Sequence, residues 1–330
     1  MDEIKELPSG KLSPEALKRS VLQYVGAVRK ELLIGPAVGE DAAVIEWPKG
    51  KYLVFSSDPI VGAEKGAGKL LVRINSNDIA SKGGDPAYLA VTLILPPSWG
   101  EEGAARIMRE IHEECVAQGI AVAGGHTEFN DRYERPVIMG ALIGTSDRVL
   151  RAEDLRPGDD LIVTKHIGIE GMSILATDKR ELLKPFMSET DIEELISWTE
   201  KTSVLEESKA LREIAKFMHD PTEGGFMGGI GEISSLSGLR AEIDYTSVPV
   251  HPLTKRAAQK LGFDPLRLIA SGSLLAAVPK EKTVEALRKL ADLNIDAAVV
   301  GSMGGKLEAP VPEPSEELWR LLKMVTAENE

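Results

Sequence analysis

Short apolar runs alternate with longer stretches of helical spacing along the whole chain. In the first half, residues 42–47, 52–56, 87–95, 120–123 and 137–143 are brief and rich in Val, Ile and Leu, as buried strands are. Between them lie three helical patterns. Residues 13–30 open with Ser-Pro, a good helix start, and 67–81 form a second pattern. In the third, 101–118, the residues Ala104, Ile107, Met108, Ile111 and Cys115 share one face. The turn signal at 156–160 precedes the apolar run 161–164 and suggests a boundary, giving domains of 1–150 and 151–330. The second half predicts acidic helices at 189–199 and 204–218, then a Gly-rich turn with a helix opening near Glu223. It further predicts strands at 239–243, 274–278 and 297–300, and helices at 282–293 and 315–325. The Pro-rich stretch 304–317 is expected to drape over the surface. Strands and helices mix in both halves with no repeat of about 20–50 residues, so the class is α/β (α+β).

A chain of 330 residues can bury a sizeable core without disulfides or structural metal. Apolar residues make 43% and charged residues 28%, as in an ordinary globular protein. The net charge of −13 argues against a general nucleic-acid binder, which needs a basic surface. It leaves phosphate ligands open, because divalent cations bridge carboxylates to phosphates. Cys115 is the one cysteine, which excludes an internal disulfide and a Cys-based metal site. The acidic start shows no apolar signal region and no run reaches about 18 apolar residues, so a cytoplasmic protein without a membrane span is expected.

The common nucleotide motifs fail. In the stretch 63–70, Ala63 stands where a P-loop has Gly and Leu70 where it has the metal-binding hydroxyl. No Rossmann fingerprint, H-E-x-x-H or G-x-S-x-G occurs. Five other stretches each follow an apolar run and carry acids or glycines, and each reads as a loop. They are 39–43 (Gly-Glu-Asp-Ala-Ala), 56–59 (Ser-Ser-Asp-Pro), 75–80 (Asn-Ser-Asn-Asp-Ile-Ala), 124–128 (Gly-Gly-His-Thr-Glu) and 219–225 (His-Asp-Pro-Thr-Glu-Gly-Gly). Converging carboxylates at strand ends suit Mg²⁺, and glycines let backbone N–H groups approach phosphate. Each stretch alone is equally a turn or cap.

Their order resembles the aminoimidazole ribonucleotide synthetase (PurM-like) superfamily of ATP-using enzymes, from about Gly35 to Gly301, and most of all its HypE-like branch. The stretches NDIASKGGDPAYLAVTL, TKHIGIEGMSILA, HDPTEGGFMGGIGEI and SGSLLAAVP carry that likeness. The thiamine-monophosphate kinase pattern D-x-S-D-G-L and the reactive cysteine of selenophosphate synthetase have no match. The resemblance implies a two-domain fold whose N-terminal sheet pairs with a second copy, forming a homodimer barrel, with Mg-ATP as the nucleotide. It implies metal ligands at Asp41, Asp58, Asp78 and Asp220, with Glu128 taking over a role at its own loop. It implies nucleotide contacts from Asp41, Asn77, Gly124, Gly125, Thr127, Asp220, Gly224 and Gly225, and catalytic roles for Asp58, Asp78 and His126. The family's reaction activates an amide-type oxygen by phosphorylation, and Mg²⁺ and positioning do most of that work.

The pattern also departs from its relatives. HypE proteins carry substrate on a C-terminal cysteine, and this sequence ends Met324-Val325-Thr326-Ala327-Glu328-Asn329-Glu330 without one. Cys115 continues an apolar helix face and reads as core. Ser271 stands where an acid is common, and His126 where the G-G-D-T loop has Asp. His126 fits a structural histidine, a phosphate contact or an acid–base group. Lys165 and His166 read as solvated loop residues or as groups facing a cleft. The expected function is therefore a Mg-ATP-dependent enzyme acting on a small-molecule or protein-borne substrate, with a maturation protein as partner. The alternatives are a non-catalytic scaffold that kept the fold and another superfamily enzyme such as a purine-pathway cyclo-ligase.

Overall fold

A computed structural model describes residues 10–11, 14–34, 44–60, 66–309, 311 and 314–324. Contacts divide the chain into two compact units. The first takes the described residues up to Ile79 and then Gly84–Arg148. The second takes Ala80–Gly83 and the described residues from Val149 on.

The first unit holds β1 (Gly10–Lys11), α1 (Pro14–Ser20), β2 (Leu32–Ile34), β3 (Val44–Ile45), β4 (Tyr52–Ile60), α2 (Ala67–Ser81), β5 (Asp85–Leu95), α3 (Gly100–Gln118), β6 (Ala121–Phe129) and β7 (Val137–Ser146). Its main sheet runs β1-β6-β5-β7-β4, with β5 and β6 parallel and the other neighbours antiparallel. Strand alternation sends Leu89, Val91, Leu93 and Leu95 of β5 toward α2 and α3, where they meet Leu71, Ile79, Ile107 and Ile111 in one core. The opposite face keeps Leu53, Phe55 and Met139 exposed. Between the helices, Arg73 and Glu114 form a buried ion pair at 2.9 and 3.1 Å.

The second unit holds β8 (Asp160–Thr164), α4 (Ile169–Asp178), α5 (Arg180–Leu183), α6 (Glu189–Ser197), α7 (Leu205–Leu211), β9 (Phe217–His219), α8 (Gly225–Ser237), β10 (Leu239–Ile243), α9 (Pro252–Leu261), β11 (Leu275–Val278), α10 (Thr283–Ala291), β12 (Ala297–Lys306) and α11 (Leu318–Leu322). Its sheet runs β10-β12-β8-β11-β9, antiparallel throughout. Both faces are covered. Leu161, Val163, Leu275 and Ala277 pack with Phe226, Ile230 and Ile233 of α8, while Ile162, Ala276 and Val278 pack with Leu211 of α7 and Leu290 of α10. The continuous apolar runs of β8 and β11 follow from that double cover.

Two helix expectations are corrected. The pattern at 13–30 is helical only through Ser20. Beyond it the chain turns, and Gly26, at φ +68, bridges to Ala121 beside β6. A Cβ at Gly26 would lie 2.4 Å from the Ile120 carbonyl oxygen. The pattern at 204–218 splits into α7 and β9, because Lys216 N–H donates to the Ala277 carbonyl at 2.9 Å and draws the following residues into the sheet.

Candidate functional site

Three of the five stretches expected as loops lie inside regular elements. Residues 56–59 are in β4, 75–80 in α2 and 124–128 in β6. The stretch at 39–43, and Asp41 with it, lies outside the described residues.

Where β4 crosses α2, the fully buried Asn75 amide clamps Asp58 by its backbone. Asn75 Oδ1 accepts the Asp58 N–H at 3.0 Å, and Nδ2 donates to the carbonyls of Asp58 at 3.3 Å and Leu71 at 2.9 Å. Glycine at position 140 makes room, because a Cβ there would sit 2.9 Å from Asn75 Nδ2. The clamp leaves the half-buried Asp58 carboxylate out of the bonding that holds it. One alternation step back, Ser56 Oγ donates to Asp78 Oδ2. Asn77 and Ser76 are fully buried on α2, and Ser76 Oγ has no hydrogen-bond partner among the described residues. The structure thus brings Asp58 and Asp78 to one corner.

It separates them from another predicted pair. Thr127 and Phe129 lie on the helix-facing side of β6, paired with Leu93 and Leu95. His126 and Glu128 therefore lie on the open side, opposite Asp58. His126 Nε2 and Glu128 Oε2 are 3.1 Å apart, and Asn130 Nδ2 donates to Glu128 Oε1 at 3.3 Å. Gly124 and Gly125 are strand residues, not a loop. At Gly125, with φ +152, a Cβ would lie 1.9 Å from the Val91 carbonyl oxygen of β5. At Gly124 a Cβ would meet nothing within 4 Å.

In the second unit, the buried Asp220 follows β9, and its Oδ1 accepts the Gly272 N–H at 3.3 Å. Gly272 itself needs φ +102, and a Cβ on it would lie 2.9 Å from the Lys201 carbonyl oxygen. Gly224 and Gly225, at φ +78 and +61, open α8, and Gly224 N–H donates to Glu316 Oε2 at 2.7 Å. Glu316 Oε1 also accepts from Ile269 and Leu318 N–H. Burial raises the Glu316 carboxyl above its usual pKa, against the pull of those three donors. Glu170, in the first turn of α4, is buried, and that burial pushes its carboxyl up to about 7.

Lys165 and His166 are half-buried. Lys165 takes a left-handed backbone, φ +54, and its ammonium donates to the carbonyls of Lys201 at 3.0 Å and Ser203 at 2.7 Å. It also forms an ion pair with Glu207 at 2.6 Å. The His166 ring lies 4.4 Å from Trp198, and burial pushes its imidazole down to about 4. Cys115 is buried, and its thiol is pushed up to about 12, so it is no nucleophile at neutral pH.

Among the described residues no three His, Cys, Asp or Glu side chains gather to hold one metal ion. Mg²⁺ in nucleotide sites is held by one or two carboxylates, with phosphates and water completing the shell. The oxygen donors of Asp58 and Asp78 at one corner of the first unit fit that chemistry, as does the single carboxylate of Asp220 in the second unit. Sequence reasoning passed over Asn75, Glu170 and Glu316. A polar Asn midway along α2, and an acid within the apolar opening of α4, are the signals available.

Two family models match. "AIR synthase related protein, N-terminal domain" covers 39–146, and "AIR synthase related protein, C-terminal domain" covers 156–309. The chain is 30% identical over 324 residues to selenide, water dikinase of Escherichia coli K12, covering 93% of this chain and 86% of that protein. It is 27% identical over 285 residues to carbamoyl dehydratase HypE of Rhizobium leguminosarum, covering 80% and 76%. The crystal structure of hydrogenase maturation protein HypE in complex with ATP aligns at a TM-score of 0.75 and 23% identity, covering 90% of this chain and 87% of that one. No helix among the described residues is long and apolar enough to cross a membrane.

Proposed function

The chain belongs to the AIR synthase related family, with its two-domain PurM-like fold, and from that premise we propose that it is a Mg-ATP-dependent enzyme of the HypE-like branch. It phosphorylates an amide- or carbamoyl-type oxygen on a separate acceptor, a small molecule or a group borne by a protein. The observation that carries this reading is the corner of β4 and α2. A buried amide there fixes Asp58 by its backbone and leaves its carboxylate for a ligand. The ATP named for one structural neighbour supports the choice of nucleotide.

In this reading Asp58 and Asp78 of the first unit, with Asp41, take Mg²⁺ and the phosphate side of ATP, and Asp220 is the candidate carboxylate of the second unit. Bound Mg²⁺ supplies charge neutralisation at the transferring phosphoryl group. Asn77 and Thr127 shape the nucleotide wall, while Gly224 and Gly225 set the turn that opens α8, their N–H groups given to Glu316 and to the Thr222 carbonyl. Gly125 serves by close backbone approach to Val91, and Gly124 leaves open space beside β6. His126 and Glu128 act from the open sheet face. A second copy covers that face and with it the exposed Leu53, Phe55 and Met139. Buried Cys115 carries no acyl group, which agrees with an acceptor on another molecule.

Ser271, where relatives commonly have an acid, favours a second reading, a scaffold that binds ATP without turnover. One experiment separates the two. Asp58→Asn combined with Asp220→Asn abolishes Mg-dependent ATP turnover in a folded protein if the enzyme reading holds. Turnover that survives both substitutions sinks the site assignment.

A further inference from the structure

We propose that Glu316 is a positioning residue for Asp220, its carboxylate joining the two turns that hold Asp220 and fixing them in one geometry. The inference rests on the enzyme reading above, and every residue it uses belongs to the second unit.

The first turn, 220–224, leads from Asp220 into α8. The second, 269–272, precedes β11. The chain beside them is closely packed. A Cβ on Gly225, at φ +61, would lie 2.5 Å from the Leu268 carbonyl oxygen, so only glycine fits there. Two ties then join the turns. At one end Asp220 Oδ1 accepts the Gly272 N–H at 3.3 Å. At the other, Glu316 takes the Gly224 N–H on Oε2 at 2.7 Å and the Ile269 N–H on Oε1 at 3.1 Å. The two ties close a ring that runs from Asp220 to Gly224, through Glu316 to Ile269, and on to Gly272. Neither turn can shift without straining both ties, so loss of the Glu316 tie is felt at the Asp220 tie.

Glu316 is itself anchored. Arg267 Nε donates to the Ser315 carbonyl at 3.1 Å, Glu317 N–H donates to the Arg267 carbonyl at 3.2 Å, and Leu318 and Leu321 of α11 are buried. A side chain on a segment held in this way has little freedom left to lose, which suits a fixed bridge. The bridge also needs a carboxylate. Each of its oxygens accepts toward a different turn, whereas an amide has one acceptor oxygen and two N–H donors. In Glu316→Gln the amide nitrogen would face an N–H donor on one side whichever way it turns, and one tie is lost. Groups that orient a ligating side chain from behind typically change metal affinity by about 10–100-fold when removed.

The test uses the full chain, the variants Glu316→Gln and Glu316→Asp, and the control Glu317→Ala. Glu317 accepts the Asp264 N–H and pairs with Arg320, so its loss loosens the same segment and leaves the ring intact. In the ligand-free protein, amide hydrogen exchange at Gly272, followed by NMR, should quicken roughly tenfold in Glu316→Gln and keep its wild-type rate in Glu317→Ala. In calorimetry with ATP, the Mg²⁺ concentration needed for half-saturation should rise roughly tenfold in Glu316→Gln and stay at the wild-type value in Glu317→Ala. Glu316→Asp, with both oxygens on a shorter stem, should show both changes to a lesser degree, and it carries the test if the Gln variant does not fold. A wild-type exchange rate at Gly272 or a wild-type Mg²⁺ requirement in the Glu316 variants overturns the proposal alone, as does an equal change in Glu317→Ala. No Mg-dependent ATP binding by the wild-type chain overturns the enzyme reading and this proposal with it.

Discussion

The two five-stranded sheets are built to different plans. That of the first unit is packed on one face by α2 and α3, and its other face exposes Leu53 and Phe55. That of the second unit is packed on both faces, and β8 and β11 are apolar nearly throughout. The candidate chemistry differs in the same way. In the first unit the polar groups sit within a strand and a helix, held by alternation and by the Asn75 clamp. In the second unit they sit in turns at sheet ends, fixed by left-handed glycines and buried carboxyls. A one-sided sheet can place a carboxylate among its own helices, whereas a two-sided apolar sheet can offer chemistry only at its edges and ends.

The most severe way to break the first plan is Gly125→Ala. The new Cβ would meet the Val91 carbonyl at 1.9 Å, in backbone that neither strand can easily move. A loss above about 4 kcal/mol is expected, read as a collapse of the urea midpoint or of soluble yield. Glu114→Ala should cost about 3–5 kcal/mol, because it removes the carboxylate paired with buried Arg73. Replacing both partners by apolar residues of similar size should recover most of that loss in the same denaturation assay.

The second unit answers to pH instead. Glu170 is raised to about 7 from 4.5, so between those values the folded state holds a proton that the unfolded chain has lost. Its stability contribution is therefore present at low pH and fades as pH rises toward 7, by on the order of 3 kcal/mol. His166 is lowered to about 4 from 6.5, so the unfolded chain binds the extra proton, and stability falls as pH drops through that window by a similar order. The two windows overlap and their slopes oppose, so together they leave stability nearly level between about pH 4.5 and 6.5. Glu170→Gln should uncover a rise in Tm from about pH 4 to 6.5 left by His166, and His166→Phe a fall from pH 4.5 to about 7 left by Glu170.

Asn75→Ala is a subtler probe of the clamp. It should cost about 1–3 kcal/mol by stranding the Asp58 N–H, and it should weaken Mg-ATP binding, since Asp58 is no longer held. The smallest effect is expected at Gly124→Ala, next to the most sensitive glycine. Nothing lies within 4 Å of the added methyl, so Tm should change by less than the equivalent of about 0.5 kcal/mol.

Much of the architecture was legible in the sequence, because amphipathic periodicity reports burial directly. Residues 67–81 were read as a helix and α2 has those bounds. The site was less legible. Acid- and glycine-rich stretches look like loops in sequence, yet Asn75–Asp78 lie in a helix and Gly124–Glu128 in a strand. Turn-forming residues there serve close approach and buried hydrogen bonding rather than chain reversal. Glu170 was passed over because an acid in a first helical turn ordinarily reads as a solvated complement to the helix dipole. Only packing shows that it is buried. Lys165 misled in the opposite sense, since a loop lysine ordinarily reaches water and this one closes on two carbonyls.

The central claim, that the Asp58 corner belongs to a working nucleotide site, is tested most directly by titration calorimetry of the full chain with ATP, with and without Mg²⁺. The account predicts saturable binding at one site per chain that requires Mg²⁺ and is lost in Asp58→Asn. Heat indistinguishable from dilution in both conditions, or binding unchanged by Mg²⁺ and by Asp58→Asn, would contradict it.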